Sequence, residues 1–115
     1  MDAFVDRLVQ YSQDGDKSEE FEQLVAEAFT RLGFDAKWVE GGDGTDGEIL
    51  SPIEAIIEAK TRSNGRAVND LRASNVARHR DRRNAEYGFV VGPRFPPNVV
   101  ETAADNDLTI LSADI

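Results

Sequence analysis

Gly44-Thr45-Asp46-Gly47-Glu48-Ile49-Leu50-Ser51-Pro52-Ile53-Glu54-Ala55-Ile56-Ile57-Glu58-Ala59-Lys60 is the stretch on which the reading of this chain turns. Residues 45–50 suit a strand, Ser51-Pro52 a turn, and 53–60 a second strand folded back on the first. Side chains alternate along a strand, so Ala55, Ile57 and Ala59 share one face while Glu54, Ile56, Glu58 and Lys60 share the other. Small and apolar residues dominate, which predicts a central strand. Paired strands lie about 4.8 Å apart, so Asp46 and Glu58 can converge on one point, with Lys60 one repeat farther along.

Working outward, residues 3–12 place Phe4, Val5, Leu8 and Tyr11 at helical spacing, and the polar run 13–17 breaks the pattern. Ser18 suits the N-cap of a helix over 18–32, whose Phe21, Leu24, Val25, Ala28, Phe29 and Leu32 form one apolar stripe, with Gly33 as its C-cap. A strand over 34–40 and a turn at Gly41-Gly42-Asp43-Gly44 precede the opening stretch. Beyond the Ser63-Asn64-Gly65 loop, residues 67–84 read as a helix carrying Val68, Leu71, Val76 and a series of arginines. The apolar run 87–91 suits a strand buried on both faces, Pro96-Pro97 introduces a helix at 98–106, and 108–111 makes a last strand. The order α-α-β-β-β-α-β-α-β predicts an α/β fold: a mixed sheet flanked by helices, as one domain over 1–115 with its core at 18–111.

At 115 residues the chain is long enough to bury a core. The absence of cysteine excludes disulfides and thiolate metal sites, so any metal must sit on oxygen or on the single His79. No 18-residue apolar run exists, and the start Met1-Asp2-Ala3-Phe4-Val5-Asp6-Arg7 is unlike a signal peptide, so a cytoplasmic protein with no membrane partner is expected. The net charge of −9 is unevenly placed: residues 60–83 hold Lys60, Arg62, Arg66, Arg72, Arg78, Arg80, Arg82 and Arg83 against Asp70 and Asp81, a local +6. A concentrated basic stretch lets an acidic protein hold DNA, and Arg62, Arg66, Arg72, Arg78, His79 and Arg82 are its candidate contacts; a solvated helix face is the plainer reading. Three lysines against ten arginines, with aspartate exceeding glutamate by twelve to ten, suggest salt adaptation.

Two carboxylates and a lysine are what phosphodiester hydrolysis requires. A divalent cation lowers the pKa of a bound water and offsets charge on the phosphoryl group, and Mg²⁺, or Mn²⁺ in its place, prefers a few carboxylates plus waters. Asp46 and Glu58 meet that need as catalytic metal ligands, with the backbone carbonyl of Ala59 as a third. Lys60 can orient the attacking water, stabilise charge on the phosphate or act as a base. The bland alternative is a Glu58–Lys60 surface pair on an edge strand. Glu22 falls at the border of the apolar stripe beside Phe29 and can reach toward the sheet, or serve only as an acid near a helix N-terminus. His79 suits phosphate contact or plain exposure. Asp43 and Glu48 flank Asp46, with Glu48 on its face and able to shape its field, and Trp38 reads as packing against a helix.

These residues resemble the PD-(D/E)xK nuclease superfamily, with Thr45-Asp46 where that family has Pro-Asp and Glu58-Ala59-Lys60 as its (D/E)xK. Within it, Asp46-Gly47-Glu48-Ile49, Ser51-Pro52-Ile53 and Ile57-Glu58-Ala59-Lys60 look like the cleavage domain of Fok-type type IIS restriction endonucleases. Phe21-Glu22, Leu32-Gly33-Phe34 and Gly41-Gly42 are similar to that domain and to Mrr-type and archaeal junction-resolving nucleases. The resemblance implies a Mg²⁺-dependent endonuclease of restriction-endonuclease-like fold: Asp46 and Glu58 as metal ligands, Lys60 the catalytic lysine, Glu22 the accessory helix acid. It also implies DNA as substrate, a homodimer for double-strand cleavage and a separate recognition domain or subunit. A junction resolvase and an inactive binding module of the same fold are the competing readings. No glutamine follows Lys60 in the next helix, where many relatives carry one, so Asn69, Asn75 or His79 would have to substitute.

Overall fold

The computed structural model describes residues 3–40 and 45–113. It contains α1 (Ala3–Ser12), α2 (Ser18–Arg31), β1 (Asp35–Trp38), β2 (Gly47–Ser51), β3 (Ala55–Ala59), α3 (Ala73–Arg82), β4 (Tyr87–Gly92), α4 (Pro97–Asp105) and β5 (Leu108–Ser112), with 3₁₀ turns at Gly15–Lys17 and Ser63–Gly65. The element order is the one read from the sequence. The turn expected at Gly41-Gly42-Asp43-Gly44, Asp43 included, lies outside the described residues.

The strands form one five-stranded sheet in the order β1-β2-β3-β4-β5. Its first three strands are antiparallel and joined directly; β3, β4 and β5 run parallel, and α3 and α4 supply the crossovers that parallel pairing needs. Strand β3 is therefore central, and all five of its residues are buried.

Alternation along β3 divides the interior in two. Ala55, Ile57 and Ala59 join Phe21, Val25 and Phe29 of α2 in one core, while Ile56 packs with Ala73 and Val76 of α3, Ala103 of α4 and Val90 in the other. Strand β4 serves both, Val91 facing the first core and Val90 the second, as a strand buried on both faces must.

Three local expectations need correction. Ser18 is the first residue of α2 rather than its cap: Asp14 caps the preceding 3₁₀ turn by accepting from the Asp16 N–H at 2.9 Å, so the chain is already winding when it reaches Ser18. Leu32, placed on the apolar stripe, is 73% exposed. Gly33, at φ +103°, turns the chain there and Phe34 takes the inward place, its ring edge-on to Phe29 at 5.8 Å between centroids.

The third correction concerns the helix expected over 67–84, which spans only Ala73–Arg82. Val68 is fully buried in non-helical chain, its N–H donating to Arg94 O at 2.8 Å. It fits because Gly92 has no side chain: a Cβ there would lie 3.2 Å from Val68 Cγ2 and 2.9 Å from Phe95 Cζ. Val68 and Leu71 are spaced as on a helix, yet this tertiary contact determines the conformation of their segment.

Candidate active site

The hairpin brings Asp46 and Glu58 to the C-terminal end of β3. Asp46 sits just before β2, its backbone fixed on both sides: its N–H donates to Ile57 O at 2.9 Å and its carbonyl accepts from the Val39 N–H at 3.0 Å. Its Oδ2 accepts from the Ala59 N–H at 2.7 Å. Burial, with the charges of Glu22 and Glu58 adding to it, pushes the Asp46 carboxyl up to about 7 despite the Ala59 N–H and the charge of Lys60, which both lower it.

Glu58 is 6% exposed. Its Oε1 lies 3.4 Å from Lys60 Nζ, as period two along the strand requires. Lys60 itself is half-buried, with its N–H bonded to Val91 O at 2.8 Å. The pair therefore stands on a central strand, and the edge-strand surface pair is ruled out.

Glu22 reaches the same region from α2. Desolvation raises its pKa, the Trp38 indole opposes this by donating from Nε1 to Oε1 at 3.2 Å, and the charges of Glu58 and Lys60 reach it as well. The border position read from the helical wheel is thus the observed one. Trp38 does contact a helix, but as a hydrogen-bond donor to an acid of the site, which the sequence reading did not anticipate.

From the opposite layer, His79 of α3 places Nδ1 3.5 Å from Glu58 Oε2, and neither atom has a hydrogen-bond partner among the described residues. His79 is half-buried, so the exposed reading fails. It lines a groove with Glu58, Lys60, Arg72 and Asn75, whereas Asn69 is exposed and not among the lining residues. Glu48 is ion-paired with Arg83, so its charge is largely neutralised where it was expected to shape the field of Asp46.

The basic stretch separates into two sets. Arg62 pairs with Asp70 at 2.5 Å, and Arg80 donates to Asn106 O at 2.6 Å while pairing with Asp81. Arg66, Arg72, Arg78 and Arg82 are exposed.

Among the described residues, no three His, Asp or Glu side chains form a ready-made metal cluster. The donor set nevertheless suits a hard divalent cation: a buried carboxylate oxygen on Glu58 without a hydrogen bond, and a second carboxylate on Asp46 whose ionisation is opposed by burial and by its neighbours. Asp46 and Glu58 are the residues that could hold such an ion.

A family described as FokI, cleavage domain, matches residues 1–79, well over half of the chain. The chain belongs to this family. Over 111 residues it is 28% identical to the type II restriction enzyme HgaI of Avibacterium volantium, a match covering 93% of this chain and 23% of that protein. The solved structure of restriction endonuclease FokI superposes on the fold with a TM-score of 0.75 at 18% identity, covering 96% of this chain and 25% of that one. The chain thus spans about a quarter of the length of these relatives. The FokI cleavage-domain match takes in Asp46, Glu58, Lys60, Glu22 and His79, while β4, α4 and β5 enter through the likeness of fold.

Proposed function

We propose that this chain is a divalent-metal-dependent DNA endonuclease domain of the PD-(D/E)xK type, acting in the cytoplasm as the cleavage unit of a restriction enzyme. The observation that carries this reading is the junction of Asp46, clasped by the Ala59 N–H at 2.7 Å, with a buried Glu58 whose oxygen lies 3.4 Å from Lys60 Nζ. Membership of the FokI cleavage-domain family supports it.

In this reading Asp46 and Glu58 would hold Mg²⁺, or Mn²⁺ in its place, and the Ala59 carbonyl could serve as a further ligand. A bound divalent cation supplies a more acidic water and neutralises charge on the phosphate. Lys60, presented beside Glu58, orients the attacking water and stabilises the negative charge that develops on the phosphoryl oxygens. The Ala59 N–H fixes the rotamer of Asp46, and Glu22 is the accessory acid that reaches the site from α2. Asn75 or His79 stands in for the glutamine that the resemblance to PD-(D/E)xK nucleases leads one to expect in this helix, and Arg62, Arg66, Arg72, Arg78, His79 and Arg82 meet the DNA backbone. Both-strand cleavage requires a second copy, and sequence choice falls to a separate domain or subunit, as the quarter-length overlap with the relatives supports.

Supercoiled plasmid incubated with the purified chain and Mg²⁺ or Mn²⁺ tests this. Cleavage that is abolished in both Asp46→Ala and Lys60→Ala is the expected outcome. Equal nicking by wild type and variants exposes a contaminant, preference for four-way junctions over linear duplex assigns a resolvase, and metal-supplied protein that never cuts sinks the enzyme reading.

A further inference from the structure

The three acids of the site are held differently. Asp46 is fixed by a backbone N–H and Glu58 is buried within a strand beside Lys60. Glu22 projects from α2, a different layer, on a long side chain whose ordering costs conformational entropy. Among the described residues its hydrogen-bond donor is the Trp38 indole, at 3.2 Å.

Trp38 is placed to do more than fill space. It ends β1 opposite Gly47 of β2, and the next residue, Val39, donates its N–H to Asp46 O at 3.0 Å. The indole is thus carried by the same hydrogen-bonded ladder that carries Asp46, and its N–H reaches across to α2. We infer that Trp38 is a positioning residue which, through its Nε1–H, fixes the Glu22 carboxylate against Asp46 and so tunes the affinity of the site for a divalent cation. This rests on the metal reading above. Bonding Oε1 leaves Oε2 of Glu22 available to the site, and the donor favours the ionised carboxylate against the burial that opposes it.

Mn²⁺ binding to the DNA-free chain, followed by electron paramagnetic resonance, provides the test without recourse to cleavage. Trp38→Phe keeps an aromatic ring and removes the N–H; it should weaken Mn²⁺ roughly 10- to 100-fold, the range for losing an outer-shell partner. Glu22→Gln should weaken it comparably, and the double variant no further than Glu22→Gln alone, since one interaction is lost in each. Because the chain has a single tryptophan, replacing it with benzothienylalanine removes the same N–H at nearly constant shape and must reproduce the Phe result. Wild-type affinity in that analogue, or losses that multiply in the double variant, overturns the assignment. Asp46→Asn separates the two levels: if it too binds normally, the metal reading fails and this inference with it, whereas a weakened Asp46→Asn beside an unaffected analogue defeats Trp38 alone.

Discussion

Burial presses Asp46 toward its neutral form, and the neighbouring carboxylates press in the same direction. A carboxyl raised from 3.8 to about 7 in the folded chain binds a proton there that the unfolded chain has already released. Metal-free protein is therefore most stable below pH 4 as far as this group is concerned, and loses that stability as pH rises toward 7. The loss is on the order of 4 kcal/mol at most for a shift of this size. Thermal melts of metal-free chain between pH 4 and 8 should show the decline, Asp46→Asn should flatten it, and a wild-type melting temperature that climbs across this range would refute the argument. Of the residues involved, Asp46, Glu58 and Lys60 were legible because they lie on one hairpin, where strand period and turn length carry one to the next. Trp38 to Glu22 and His79 to Glu58 were not, since each contact joins two layers that sequence spacing does not relate.

Helix α3 shows how one element divides its arginines between structure and solvent. Arg80 reaches the end of α4 and donates to Asn106 O at 2.6 Å, whereas Arg78 is exposed. Arg80→Ala should destabilise the fold by about 1–3 kcal/mol, as loss of a charged hydrogen bond does, while leaving DNA affinity nearly unchanged; denaturant melts and binding titrations on the same samples check both halves. Arg78→Ala should do the reverse. Its melting temperature stays put and, if Arg78 contacts phosphate, the slope of log affinity against log salt falls by about one. Packing between strands is less forgiving: a Cβ on Gly88 would stand 2.5 Å from Cδ2 of the buried Leu108, so Gly88→Ala should cost about 1–3 kcal/mol by forcing that side chain out of its packed position. Helical periodicity revealed α3, but its start could not be read from spacing, because Val68 extends the chain to fill the space beside Gly92.

For the molecule as a whole, the −9 net charge and the +6 carried by residues 60–83 act on different properties. Self-repulsion among the remaining acids is screened by salt, so melting temperature should rise between low and high KCl while DNA binding weakens over the same range; a melting temperature indifferent to salt removes the case for salt adaptation. If cleavage of both strands needs a second copy, its initial rate should rise faster than linearly with protein concentration while nicking stays linear, which a dilution series on plasmid measures. Sequence alone determined the order of elements, the central place of β3, its two faces and the register that sets Lys60 beside Glu58, because these follow from local periodicity and short connections. The place of Glu22 at the border of the α2 stripe was legible too, but tertiary structure alone decided which contacts hold the outside groups at the site. Trp38 from β1, Glu22 from α2 and His79 from α3 meet the hairpin only because helices pack on both faces of one sheet, and that three-dimensional neighbourhood leaves no fixed spacing in the chain.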